Sequence, residues 1–230
     1  MTIRLYDLAG ADAGLRFSPH CWKVRMALAH KGLAHETMPW RFTDTDAIAF
    51  SGQGKVPVLR DGDEVVSDSF EIACFIERRY PRAPSLFGGP QGEAVARFVN
   101  AWADATLLGP VGSMVLADIE RALADADRDY FRRSREARFG DTLENVQAGR
   151  EQRLPAFRAS LTPLRLTLKR QPFLAGEAPN YADYCAFGAF QWARCVSAFE
   201  LLADDDPVHG WRERLLDAHG GLARAALVGY

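Results

Sequence analysis

No run in this 230-residue sequence approaches the roughly 20 apolar residues that span a membrane as a helix. The N-terminal Met1-Thr-Ile-Arg-Leu-Tyr-Asp7 lacks the basic-then-apolar order of a secretory signal, so a cytoplasmic location is expected. Charge of one sign is missing too. The 28 Lys and Arg stand against 30 Asp and Glu, a formal net charge of −2 that gives a polyanion such as nucleic acid no purchase. The most basic stretch, 128–136, carries acids among its arginines and reads as a solvated helix face. Cysteine is scarce. Cys21, Cys74, Cys185 and Cys195 fit no zinc spacing and form no Cys-x-x-Cys pair. Neither a metal nor a protein dithiol centre is expected, and disulfides are not expected in the cytosol. Cys74, Cys185 and Cys195 lie in apolar helical runs and read as core.

What is present is a globular composition, 48% hydrophobic and 25% charged. Ile3, Leu5 and Asp7 alternate with Arg4, Tyr6 and Leu8, a short strand. Pro19 suits the first turn of a helix that Lys31-Gly32 ends. His35 to Trp40 and Lys55 to Arg60 read as strands, with weak helical character over 41–54 between them. Asp61-Gly62-Asp63 turns the chain into a hairpin strand at Glu64-Val65-Val66, and a helix follows over Asp68 to Tyr80. The order β-α-β-α-β-β-α makes residues 1–84 a small α/β domain. Pro81 to Pro84 and Gly88 to Pro90 bracket a linker. Residues 91–230 show only helical patterns: Glu93 to Leu108, Val111 to Ala126, Asp129 to Phe139, Leu154 to Lys169, Tyr181 to Leu202 and Val208 to Leu227. The fold class expected is α/β followed by all-α.

Three junctions in the first domain carry chemistry. Ser18-Pro19-His20-Cys21 opens the first helix, where unpaired N–H groups and the positive dipole end favour a negative charge. Ser18 is either a bare N-cap or a hydroxyl that holds a bound thiolate. Cys21, one turn further in, is either core or a nucleophile. Val56-Pro57 enters a strand; a cis bond there would present the backbone of Val56 to an extended peptide. Asp68-Ser69 opens the next helix and could hold the charged end of a ligand. Together the three would suit a zwitterionic peptide whose thiol falls at Ser18.

These groups resemble the glutathione transferases: Ser18-Pro-His-Cys-Trp22, Lys55-Val-Pro-Val-Leu59 and Asp68-Ser-Phe-Glu-Ile-Ala73. Pro179-Asn-Tyr-Ala-Asp183 is similar to the family's internal capping box. The resemblance covers essentially the whole chain. It implies a thioredoxin-like domain, a helical domain, a homodimer, and glutathione as cosubstrate with a small aromatic electrophile. It makes Ser18 the thiolate stabiliser and Pro57 a cis-proline. Val56 would bind the cysteinyl backbone, Asp68 and Ser69 the γ-glutamyl end, and Lys55 the glycyl carboxylate. The electrophile pocket would lie between the domains and use Phe17, Trp22, Trp102 and Met114, with Trp192. Within the family, Arg128-Asp-Tyr-Phe-Arg-Arg-Ser-Arg-Glu136 and Leu143 to Pro155 resemble the bacterial β-etherases, which cleave β-aryl ethers with glutathione, and related fungal transferases. Those etherases carry a second hydroxyl residue two positions before the serine, where this chain has Arg16. Alternatives are a Cys21-dependent thiol–disulfide or lyase activity, an activity similar to maleylacetoacetate isomerase, and non-catalytic binding of aromatic ligands.

Overall fold

Strand β1 (Ile3–Leu8) shows the expected alternation, with Ile3 and Leu5 buried and Arg4 exposed. The computed structural model describes residues 2–230. Its sheet runs in the order β2-β1-β3-β4, with β2 at His35–Trp40, β3 at Val58–Asp61 and β4 at Glu64–Ser67. Helix α1 (Pro19–His30) crosses over between β1 and β2, so these two strands pair in parallel. The turn at Gly62, with φ 64°, folds β4 back on β3 in antiparallel register. A short 3₁₀ helix, Thr45–Ser51, stands where weak helical character was expected, and α2 (Ser69–Arg79) closes a thioredoxin-like domain.

The remainder is all helical: α3 (Pro90–Thr106), α4 (Leu108–Arg121), α5 (Asp125–Phe139), α6 (Leu143–Gln147), α7 (Arg150–Ser160), α8 (Thr162–Leu168), α9 (Tyr181–Val196) and α10 (Pro207–Gly221). Four expected helices change, the first being Val111 to Ala126, which ends at Arg121 and leaves Ala126 to α5. The segment 154–169 breaks at Leu161 into α7 and α8, because Pro163 begins a new helix rather than continuing the old one. Helix α9 ends at Val196; Ser197 is extended and its hydroxyl donates to the buried carboxylate of Asp118. Helix α10 stops near Ala218, since His219, Gly220 and Gly221 all take positive φ. Among the described residues no helix is long and apolar enough to cross a membrane.

Helix α1 is the hinge of the packing. Cys21, Trp22, Val24, Met26, Ala27 and Leu28 are all at or below 1% exposure, which a helix reaches only when covered on both sides. The sheet covers one side and α9 the other. Gly188 on α9 makes the close approach possible, as a Cβ there would lie 2.5 Å from the carbonyl oxygen of Pro19. The fully buried ammonium of Lys23 reaches across to α3, 2.6 Å from Asp104 Oδ1 and 2.8 Å from Asn100 Oδ1. The linker packs as well. Leu86 and Phe87 are buried, the Phe87 ring lies 5.5 Å from that of Tyr181, and the Tyr181 hydroxyl donates to Ser69 O at 2.6 Å.

Candidate functional site

Ser18 is the N-cap of α1, with φ −62° and ψ 127°. Its Oγ accepts the Cys21 N–H at 3.2 Å. Accepting that bond uses a lone pair and leaves the hydroxyl proton to donate. The cap role and a donor role toward a bound thiolate are therefore compatible at one atom. Pro19, at the start of the helix, has no N–H, and the next amides point out of the helix end with its partial positive charge.

Cys21 lies one turn further in, its thiol in the interior near Asp7 and Ser18. It is fully buried, and burial, with the charge of Asp7 adding to it, pushes its thiol well above the ordinary range. Burial likewise pushes Cys74 up to about 11 and Cys195 up to about 12, and raises Cys185. Behind Cys21, Asp7 lies under two guanidinium groups, Arg25 at 3.2 Å and Arg16 at 4.0 Å. Burial outweighs them and raises the Asp7 carboxyl. Arg16 is thus committed to the interior: its Nε donates to Ala13 O at 2.6 Å, and it takes no part in lining the cavity described below.

The other two junctions lie at the same end of the sheet, since Tyr6 pairs with Val58 and Val58 with Ser67. The Val56-Pro57 bond is cis. Val56 precedes the hydrogen-bonded ladder, which starts at Val58, so its N–H and C=O stand outside it. Asp68 caps α2, accepting Phe70 N–H at 2.8 Å and Glu71 N–H at 3.1 Å. It does so with φ 72°, a conformation few residues other than glycine adopt. Lys55 is exposed. Sequence reasoning gave His20, in the first turn of α1, no role. Burial lowers its pKa, Lys23 and Lys55 lower it further, and Asp104 and Asp68 oppose them. The imidazole at the start of α1 is therefore within electrostatic reach of both Lys55 and Asp68.

A cavity of about 480 Å³ opens beside this turn, between the two domains. Leu8, Phe17, Pro19 and His20 form its wall on the sheet side, with Phe42 from the segment after β2. Asp104, Leu108, Gly112 and Leu116 come from α3 and α4, Phe131, Arg135, Arg138 and Phe139 from α5, and Trp192 from α9. Gly112 leaves room for the Trp192 indole, whose edge would sit 3.0 Å from a Cβ at that position. Of the expected pocket residues, Phe17 and Trp192 line this cavity. Trp22, Trp102 and Met114 do not line the cavity. Trp22 is buried behind α1, its indole N–H donating to Arg16 O at 2.8 Å. Met114 projects from the opposite side of α4 toward Arg153 and Phe157, and Trp102 packs half-buried against the core. The α5 contribution was missed because its apolar residues, Phe131 and Phe139, are set among charges that read as a solvated face. Among the described residues no three metal-ligating side chains converge.

A family profile described as "Glutathione S-transferase, C-terminal domain" matches residues 94–219, and one described as "Glutathione S-transferase, N-terminal domain" matches residues 17–79. The chain belongs to the glutathione S-transferase family. This transferase-family chain is 29% identical over 241 residues to the glutathione S-transferase-like protein ustS of Aspergillus flavus, covering 91% of this chain and 82% of that one. Among solved structures, glutathione transferase GSTFuA3 of Phanerochaete chrysosporium superposes with a TM-score of 0.78 at 26% identity, covering 97% of this chain and 94% of that one. The glutathione S-transferase CsGST63524 of Ceriporiopsis subvermispora, solved in complex with glutathione, shares the fold with a TM-score of 0.80 at 23% identity over 95% and 96% of the two chains.

Proposed function

We propose that this chain is a glutathione transferase whose bound glutathione thiolate attacks an aromatic electrophile. The observation that carries the reading is the Ser18 hydroxyl, held by its cap bond at the N-terminus of α1 between Phe17 and Pro19, which line an aromatic interdomain cavity. Binding releases the glutathione thiol proton to solvent. A free thiol titrates near 8.5 and is only a few per cent ionised at neutral pH. A hydroxyl donor and a helix N-terminus both favour the anion. The sulfur then forms a C–S bond, and the leaving group departs with the electron pair of the bond it loses. In this reading Val56 binds the cysteinyl backbone, Asp68 and Ser69 the γ-glutamyl end, and Lys55 the glycyl carboxylate. The protein's own Cys21 is not the nucleophile, since a buried thiol with a raised pKa supplies neither access nor thiolate. A homodimer fits Val95 and Phe98, exposed at 60% and 72% on α3, which a second copy would cover.

The test is turnover of a chlorinated aromatic and of a β-aryl ether compound, each with and without glutathione, in wild type and Cys21→Ser. Glutathione-dependent turnover retained in Cys21→Ser is expected. Release of phenol from the ether would make ether cleavage the reaction. Activity abolished by Cys21→Ser would transfer the chemistry to the cysteine. Tight aromatic binding without any turnover would make the protein a ligand carrier.

A further inference from the structure

The aromatic and aliphatic lining of the cavity is interrupted by His20 and Asp104 on one hand and by two arginines of α5, Arg135 and Arg138, on the other. Arg135 on α5 lies over two of the cavity's rings, 4.8 Å from the centre of Phe131 and 5.5 Å from that of Phe42. Stacking fixes a guanidinium in place without neutralising it. One of its N–H groups donates to Ser134 Oγ at 2.9 Å. The group has five donors in a planar fork, so most remain to be used. Among the described residues neither Arg135 nor the neighbouring Arg138 is in an ion pair. Arg132, on the same helix, holds Glu120, Glu136 and Glu144. Acids of three helices, Glu120 on α4, Glu136 on α5 and Glu144 on α6, are thus gathered at Arg132, and none of them lines the cavity.

The carboxylate that does line the cavity is already engaged. Asp104 binds the buried ammonium of Lys23 at 2.6 Å and accepts from Asn100. His20 is held toward its neutral form by burial. Burial also lowers the pKa of Arg135, as expected of a desolvated guanidinium without a counter-charge. The uncompensated charge of the cavity is thus positive and is carried by α5.

We propose that the electrophile is an aromatic acid, its ring against Phe42 and Phe131 and its carboxylate on the guanidinium of Arg135, with Arg138 adding to the field. This rests on reading the cavity as the electrophile site. An anion at Arg135 orients the ring and leaves the opposite end of the molecule toward Ser18. A planar fork matches a carboxylate better than an ammonium does.

Calorimetric titration of the full-length protein with cinnamate and with cinnamamide, at saturating glutathione, tests the proposal. The two probes share shape and differ in charge. Wild type is expected to bind the acid roughly tenfold tighter or more, the scale of a charge-assisted bond in a partly buried site. Arg135→Gln should reduce that preference below about twofold, and Arg135→Lys should restore part of it, with Arg138→Gln giving a smaller loss. Thermal midpoints matching wild type show that the variants are folded. Equal affinity for the two probes, binding of neither, or a preference that survives in Arg135→Gln/Arg138→Gln overturns the proposal. Glutathione conjugation of neutral chlorodinitrobenzene, run on the same preparations, separates the two readings. Turnover without acid preference defeats only the charge assignment. Acid preference without turnover of any electrophile defeats only the transferase reading.

Discussion

Ser18 caps α1 by accepting Cys21 N–H, and the proposed mechanism asks the same hydroxyl to donate to the glutathione sulfur; the two roles can be pulled apart. Ser18→Ala removes both, and should cost about 1 kcal/mol of stability for the cap and roughly 10- to 100-fold in glutathione turnover for the donor. Ser18→Asp keeps a cap acceptor but replaces the donor with a negative charge. Its thermal midpoint should stay near wild type while turnover falls at least as far as in Ser18→Ala. Turnover that survives in Ser18→Asp would reduce the residue to a cap. The motif around it was legible because Ser-Pro at a strand–helix junction has a local meaning. The burial of Cys21, one turn inside the helix, was legible too, but the cluster of Asp7, Arg16 and Arg25 near it was not. His20 was missed for a similar reason: its surroundings are built by Lys23, Lys55, Asp68 and Asp104, which the sequence scatters.

At the level of elements, the site depends on how tightly α9 grips the start of α1. Gly188→Ala would drive a Cβ to 2.5 Å from Pro19 O, a backbone atom that cannot step aside alone. The helices must separate, at a cost of about 1–3 kcal/mol. Because Pro19 adjoins Ser18, turnover should fall along with the thermal midpoint; a midpoint loss with turnover intact would uncouple this contact from the site. The far end of α1 meets α9 and α10 through a titratable chain. His30 Nδ1 lies 2.7 Å from the Tyr184 hydroxyl, which lies 2.8 Å from His219 Nε2. Burial lowers the pKa of both histidines from 6.5. A histidine with a lowered folded-state pKa binds fewer protons folded than unfolded, so its stability contribution is present above about 6.5 and is lost as pH falls below it. Asp7 and Asp183, raised by burial, act in the opposite sense. The thermal midpoint should therefore drop between pH 7 and 5.5 (roughly the titration range of histidine). The drop should shrink in His30→Gln/His219→Asn, the Asn chosen to suit the positive φ of 53° at that position. An equal drop in both proteins would place the loss elsewhere. Periodicity located most helices, but not the breaks at Leu161 and His219. At the first, Pro163 marks the break in the sequence. At the second the Gly220-Gly221 pair was a visible stop, and the buried contact of His219 was not.

Across the whole molecule, the thioredoxin-like and helical domains share one interior, and the cavity lies between them. Asp183 holds the helical side together. Its carboxylate accepts Leu174 N–H at 2.7 Å, Asn180 N–H at 3.1 Å and the Trp211 indole N–H at 2.8 Å, closing a capping box at the start of α9. Asp183→Ala would strand buried donors and should destabilise by roughly 3–5 kcal/mol, measured by denaturant unfolding. A loss below about 1 kcal/mol would show that water or a neighbour replaces the carboxylate. The sequence disclosed this box and the two-domain order, because both are written in local signals. The cavity wall was legible only in part. Its residues come from the α1 turn, the segment after β2, α3, α4, α5 and α9, and only the packed fold says that Phe42 and Phe131 meet while Trp22 and Met114 turn away. The proposed function turns on one event, ionisation of a thiol brought to Ser18. The direct measurement is the ultraviolet thiolate absorbance of glutathione bound to the protein, titrated against pH. The bound thiol should ionise near or below neutrality, well under the value of about 8.5 for a free cysteine thiol, and should return toward that value in Ser18→Ala. A bound thiol that titrates at its free value in wild type would contradict the mechanism.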